Sequence, residues 1–149
     1  VFMGSKKYPK ENFWDEFLAN NGGESNAWTD CERTCFYFVC HQHSFNKALD
    51  IFAQFFISPL FLKQAVDREI MAVDSEWQML AINDRERMRN LIAYELVEEG
   101  HPMGKFMAGN VKSLKEDPEK NGINVYEQLH SFYVKMYSAH YMTLVVHSM

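Results

Sequence analysis

Two glutamates one heptad apart, Glu69 and Glu76, are the residues of this chain whose type and spacing are best suited to chemistry. They lie in the run EIMAVDSEWQ (residues 69–78), which has helical periodicity. Because side chains three and four residues apart share a helix face, both glutamates fall at the border of an apolar stripe and not on the polar face. The stripe consists of Val66, Ile70, Val73, Trp77 and Leu80. At about 1.5 Å per residue, the two carboxylates are roughly 10 Å apart along the axis.

The expected neighbours of these carboxylates on the helix are apolar, and a carboxylate in such surroundings needs a partner. The neighbours are Leu62, Ala65, Ala72 and Met79. A metal ion, an Arg or Lys from another helix, or a solvated groove would each satisfy this need. The helix pattern by itself leaves these three possibilities open.

Other candidate ligands are weaker. His41 and His43 alternate with Gln42 and could share one side of a strand, but no third ligand is nearby, so we interpret them as a surface pair. His101, in the turn HPMG, is expected to meet a helix C-terminus. The chain has no Gly-rich phosphate loop and no GxSxG, HExxH or HxxEH motif. It therefore lacks a complete catalytic motif and is expected to be inactive as it stands.

The three cysteines, Cys31, Cys35 and Cys40, lie within ten residues and lack CxxC spacing. This favours free thiols over a disulfide framework or a structural zinc site.

The helices and strands that position the glutamates are predicted from hydrophobic periodicity and from the Gly, Pro and Asn residues at which elements begin or end. Helices are predicted over residues 11–20, 46–56, 63–82, 85–98 and 125–137. Strands are predicted over residues 25–29 and 34–41, as a hairpin, and over 143–147 (TLVVH), whereas 112–124 is predicted to be a charged connector. This order predicts an α+β fold, in which a mixed or antiparallel sheet has helices packed on one face. We expect one partial domain over residues 1–149.

Composition limits the classes of function. The chain has 149 residues, of which 47% are hydrophobic and 15% aromatic, so it is globular. Its net charge of −5 provides no basic field for nucleic acid, and no apolar run is long enough to span a bilayer. Neither nucleic acid nor membrane is an expected partner.

Several unusual runs, together covering most of the chain, resemble the insulinase, or pitrilysin, family of zinc peptidases, the inverzincins. The runs are VFMGSKKYPKEN, SNAWTDCERT, ALDIFAQFF, DREIMAVDSEW, GHPMGKF and YSAHYMTLVV. In that family an HxxEH helix supplies two zinc-binding histidines and a general base, and a later glutamate completes the site. The resemblance implies that Glu76 is this metal ligand and that Glu69 supports the metal site without binding the ion itself.

The resemblance also implies where the missing parts lie. HxxEH would come immediately before Val1, so we expect Zn²⁺ in the parent protein and little or none bound by this segment. The family binds its peptide as an added strand, and the matching positions here are Phe2, Ser25, Asn26, Ala27 and Trp28. The runs TDCERT and GHPMGKF point to the branch that cuts peptides at dibasic sites, before an Arg, which implies basic peptide substrates.

Two alternatives remain beside a zinc endopeptidase segment. One is a non-catalytic domain of the same fold that binds peptides or partner proteins, and the other is an α+β interaction module with structural glutamates. Retention of both glutamates favours the peptidase.

We expect self-association of the isolated segment, because the helices carrying Phe52, Phe55 and Phe56 would lose the residues that bury them in the parent protein. A cytoplasmic location is expected, with export or cell-surface display of the parent as further possibilities.

Overall fold

The computed structural model of the protein describes residues 3–30, 32–106 and 108–147. Its α-helices are α1 (Phe13–Asn20), α2 (Phe45–Ile57), α3 (Lys63–Ala81), α4 (Asp84–Leu96), α5 (Asp117–Lys120) and α6 (Val125–Met136). The strands β1 (Glu24–Thr29) and β2 (Thr34–Val39) form a two-stranded sheet. The α+β class and the hairpin are therefore as predicted.

The chain divides into two compact units. The first comprises Val1–Ala27, Phe36–Val66 and Tyr126–Met149, and the second comprises Trp28–Cys35 and Asp67–Val125. The prediction of one partial domain over the whole chain stays a prediction. None of the helices in the described part of the chain combines the length and apolarity that crossing a membrane requires.

Trp14 is the centre of the core of the first unit. Its ring contacts Phe38 of β2 at a centroid distance of 5.4 Å, and Phe52 and Phe55 of α2 at 5.7 and 5.9 Å. The indole Nε1 donates a hydrogen bond to Ser25 Oγ of β1 at 2.9 Å, so the polar edge of the ring is also satisfied. One side chain thus joins α1, both strands and α2. The remaining buried members of this core are Leu18, Ala48 and Ile51.

The loop before α1 is held against α2 by an ion pair and hydrogen bonds. Lys7 Nζ donates to Asp50 at 2.8 Å, Tyr8 OH also donates to Asp50, and Lys47 Nζ donates to Tyr8 OH at 2.8 Å. The Tyr8 ring stacks on Phe13 with centroids 5.3 Å apart. The hydrogen bond from Lys7 is the main cause that lowers the pKa of Asp50, and the hydrogen bond to Asp50 raises the pKa of Lys7.

Phe61, two residues before α3, packs against α6 and is 7% exposed. Its φ of 48° lies in the left-handed region, which is unfavourable for a bulky residue. Ring contacts with Tyr133 and His130, at 5.0 and 5.7 Å, hold it there. Tyr133 OH also donates to the carbonyl oxygen of Phe56 at 2.7 Å, which ties α6 to the end of α2.

In the second unit, the chain between α4 and α5 packs on one side of α3. Asp74 Oδ1 accepts a hydrogen bond from the backbone N–H of Val111 at 2.8 Å, and Phe106 meets Trp77 edge-on at 4.9 Å. A Cβ on Gly109 would lie 2.8 Å from Leu114 Cδ1 and 2.9 Å from Val73 Cγ1, so a larger residue would require these side chains to shift. Asn83 caps the start of α4, because its Oδ1 accepts from the N–H groups of Arg85 and Glu86.

Two predicted segments are wrong. Residues 143–147 are irregular and exposed, since β-branched residues need a partner strand and no strand in the described ranges pairs with them. The connector is helical from Lys112 to Lys120, as a π-helical turn (Lys112–Glu116) followed by α5. Pro118 is the second residue of α5 and directly follows the change from the π-helical turn to the α-helix.

The predicted place of exposed apolar surface is also wrong. Phe55 is 5% exposed, and Phe52 and Phe56 pack against the core as half-buried residues. Among the described residues, α4 has no buried residue and exposes five large apolar side chains: Met88, Leu91, Ile92, Tyr94 and Leu96. Further exposed apolar side chains lie on α3, on α6 and in residues 141–146. Self-association stays a prediction.

A matched pair of truncations on α2 tests the core. Ile51 is fully buried, whereas Ile57 on the same helix is 66% exposed. We expect Ile51→Ala to lower the free energy of unfolding by about 2–5 kcal/mol, through lost burial and a residual cavity. Ile57→Ala should change it by less than about 0.5 kcal/mol. Urea unfolding followed by circular dichroism measures both, and equal losses for the two variants would contradict this core.

The ion pair of Asp50 with Lys7 predicts that the stability of the chain depends on pH. Because the folded pKa of Asp50 lies below its ordinary 3.8, its contribution is present above that value and is lost as the pH falls through the folded pKa. The folded pKa of Lys7 lies above its ordinary 10.5, so its contribution is lost as the pH rises through that folded value. Asp50→Asn should therefore destabilise the chain at neutral pH, and the difference should shrink at strongly acidic pH. Urea unfolding across this range measures it; a difference that is constant with pH would refute the ion pair.

Candidate functional site

Glu69 and Glu76 lie on α3, two turns apart on one flank, as the sequence predicts. Glu76 is exposed and Glu69 is half-buried. No hydrogen bond or ion pair within residues 3–30, 32–106 and 108–147 involves either carboxylate. Both oxygens of each are therefore available to a ligand, as far as the described residues are concerned.

The packing of the second unit explains why this flank is open. Asp67, Asp74 and Trp77 face the segment of residues 106–116, where Lys115 pairs with Asp67 at 3.8 Å. The flank with Glu76 lies about 150° around the helix from the mean direction of those three side chains, at about 100° per residue. Met79 on the open flank is 64% exposed.

The expectation of apolar surroundings for Glu76 is wrong for this chain. Leu62 and Met79 are apolar but exposed, at 42% and 64%, so they bury no neighbouring carboxylate. Water solvates Glu76, and the cost of burying a charge does not arise. Of the three environments left open by the sequence, an arginine or lysine partner is not found among the described residues. An open, solvated flank is what the described residues form.

The donor set offered by this chain fits one part of a metal site. No three His, Cys, Asp or Glu residues of the described ranges come together as a possible metal group. Of the two glutamates of α3, Glu76 has the greater solvent access, together with the unpaired carboxylate oxygens that a metal ligand needs. It fits as a single oxygen donor, to which other ligands must be added.

The residues matched to the peptide-binding edge lie on β1, except Phe2, which is outside the described residues. Ser25 directs its hydroxyl toward the core, where it accepts from Trp14. Asn26 Oδ1 accepts from the N–H of Ala27 at 2.8 Å. Trp28 is 46% exposed. In the described part of the chain β1 pairs with β2 alone, so its other edge is free to add a strand.

The histidines take structural positions. His41 and His43 stack with centroids 5.7 Å apart and are exposed, but they lie at a short 3₁₀ turn and not on a strand. His101 does not meet a helix C-terminus; its Nδ1 accepts from the N–H of Met103 at 3.2 Å and caps another 3₁₀ turn. Cys35 and Cys40 are free thiols, and Cys31 is outside the described residues.

Sequence reasoning missed an ordered group in the hairpin turn. Asp30 Oδ1 accepts from the N–H groups of Glu32 and Arg33, both at 2.9 Å, and Arg33 lies over the Trp28 ring. The available signal was an aspartate at the start of a short turn between two strands, which favours such side-chain-to-backbone bonds. The cation over the ring is a tertiary detail with no sequence signal.

Comparison with known proteins identifies the family of the chain. Residues 1–103 match the family described as Insulinase (Peptidase family M16). Nardilysin of Pongo abelii is 53% identical over 148 residues, and insulin-degrading enzyme of Bos taurus is 43% identical over 147 residues. These alignments cover 99% and 98% of this chain but only 13% and 14% of the relatives.

A solved structure supports the same conclusion. The crystal structure of pitrilysin superposes with a TM-score of 0.82 at 36% sequence identity, over 93% of this chain and 14% of that one. The human nardilysin is 52% identical over 148 residues, above the value for the bovine insulin-degrading enzyme, as the runs TDCERT and GHPMGKF predict. With a family match over most of its length, the chain belongs to the insulinase family of peptidases, M16.

Proposed function

We propose that the natural polypeptide containing this chain is a zinc-dependent endopeptidase and that Glu76 is one of its zinc ligands. The observation that carries the proposal is the open flank of α3, on which Glu76 is exposed and has no partner among the described residues. Because water solvates this carboxylate and no described residue pairs with it, its oxygens are available to an ion. The family membership of the chain supports zinc as the ion.

Each residue has a distinct part in this proposal. Glu76 binds the ion through its carboxylate. Glu69, half-buried two turns earlier, does not bind the ion but helps to orient its ligands. When bound, zinc supplies a Lewis acid and lowers the pKa of its water. The two histidines and the general base are assigned to an HxxEH motif, which this sequence does not contain.

The peptide is proposed to lie along the free edge of β1. There its backbone pairs with the strand, while Trp28 contacts a side chain of the peptide. The N–H of Ala27 now donates to Asn26 Oδ1, so an incoming peptide carbonyl can replace that acceptor when the Asn26 side chain rotates. Ser25 contributes through its backbone, because its hydroxyl is engaged with Trp14. Cleavage at dibasic sites, before an Arg, is proposed from the likeness to nardilysin.

Zinc content measured in the natural full-length polypeptide tests the assignment. We expect about one zinc per wild-type polypeptide, measured by mass spectrometry of the metal, and its loss in Glu76→Gln. Glu69→Gln should retain zinc with an affinity about 10- to 100-fold lower. Glu95→Gln, the same exchange at an exposed position of α4, is the matched control and should bind zinc normally.

Cleavage of an internally quenched peptide is the second measurement, and it should follow zinc content. Full zinc binding by Glu76→Gln would remove that residue from the site. A folded wild type that binds peptide without zinc and without cleavage would instead support a non-catalytic member of the family.

A further inference from the structure

The turn between β1 and β2 holds a guanidinium group between an aromatic ring and a carboxylate. Arg33 Cζ lies 5.5 Å from the centroid of the Trp28 ring. Arg33 Nε donates to Asp30 Oδ2 at 3.0 Å. An aromatic face and a carboxylate are the two groups by which proteins recognise arginine side chains. The turn therefore already shows which kind of ligand these two residues accept.

The carboxylate is oriented without help from the Arg33 side chain. Asp30 Oδ1 accepts from the backbone N–H groups of Glu32 and Arg33, and the N–H of Asp30 donates to the carbonyl oxygen of Arg33 at 2.9 Å. The bond from the Glu32 N–H is the main cause that lowers the pKa of Asp30, so the group stays charged at neutral pH. Removing the Arg33 side chain should leave an oriented anion beside the ring.

The Arg33 side chain, which now lies between Trp28 and Asp30, is held weakly. The Arg33 side chain is 74% exposed and that of Asp30 is 40% exposed. Ion pairs and cation–π contacts at such exposed sites contribute little, because water competes for both partners. Another guanidinium can take this place at small cost.

We propose that Trp28 and Asp30 form a binding site for the guanidinium group of a peptide arginine, and that Arg33 is a built-in competitor which the peptide must displace. The inference rests on the proposed function, since it takes the peptide to lie along β1. It names a chemical basis for recognition of Arg and makes Arg33 a residue that determines specificity. Arginine is preferred over lysine, because a planar guanidinium stacks on the indole while it pairs with the carboxylate.

Fluorescence anisotropy of labelled hexapeptides, with the natural full-length polypeptide in excess chelator to prevent turnover, tests the proposal. One peptide has Arg-Arg at its centre, and two matched peptides have Lys-Lys or the neutral citrulline-citrulline pair. The proteins are the wild type, Arg33→Ala, Trp28→Leu and Arg87→Ala. Arg87 is the control, because it is 66% exposed and pairs with Asp84 at the same spacing but without an aromatic ring.

We expect Arg33→Ala to tighten binding of the Arg-Arg peptide by about 3- to 10-fold, the effect of removing a weak competitor, with no change for the citrulline peptide. Trp28→Leu should abolish the preference for Arg over Lys, because that preference depends on the ring, and should keep the preference of both over citrulline, because Asp30 is retained. Arg87→Ala should match the wild type. Weaker or unchanged binding of the Arg-Arg peptide to Arg33→Ala, or equal tightening of all three peptides, would overturn the proposal.

The result is separable from the proposed function, because binding is measured without cleavage. If the enzyme cleaves peptides but Arg33→Ala fails to change the preference for Arg, the guanidinium site is refuted and the peptidase stands. If the preference changes as expected but zinc and cleavage are absent, the site stands and the peptidase is refuted.

Discussion

The burial of Trp14 is the constraint on which the first unit depends. Its ring packs against residues of β2 and α2, while its Nε1 reaches Ser25 of β1, so four elements share one side chain. A two-stranded sheet is marginal in water without such cover. Because the indole both fills the space and satisfies its own polar group, it fixes the hairpin against the helices. The position of β1, to which the peptide-binding edge is assigned, follows from this packing.

In the second unit the docking of the segment after α4 has the corresponding role. Asp74 satisfies the N–H of Val111, and Gly109 allows the chain to approach Val73 closely. These contacts occupy one side of α3 and leave the flank with Glu69 and Glu76 open. A helix with a mixed surface could present either flank, and the tertiary contacts select which one is exposed. The exposed carboxylate is therefore a consequence of packing elsewhere on the same helix.

The two sites proposed for this chain follow different physical rules. Glu76 is suited to a metal ion because its carboxylate is exposed and has no partner among the described residues. The hairpin turn is suited to a guanidinium because Asp30 is fixed by backbone N–H groups and Trp28 provides a ring face. The carboxylate of Glu76 is available to a ligand, whereas the carboxylate of Asp30 is already oriented for one. Preorganisation of this kind lowers the cost of binding.

The sequence by itself determined the local elements and the pair of glutamates. Periodicity located α2 and α3, Asn83 marked the start of α4, and the heptad spacing set Glu69 and Glu76 on one flank, because these features depend on neighbours within a few residues. Tertiary structure alone decided the contacts between distant residues, such as Tyr8 with Asp50 and Asp74 with Val111. It also decided that residues 143–147 find no partner strand in the described chain and that Glu76 is solvated. Strand pairing and burial depend on which segments meet in space, and a local pattern carries no information about that choice.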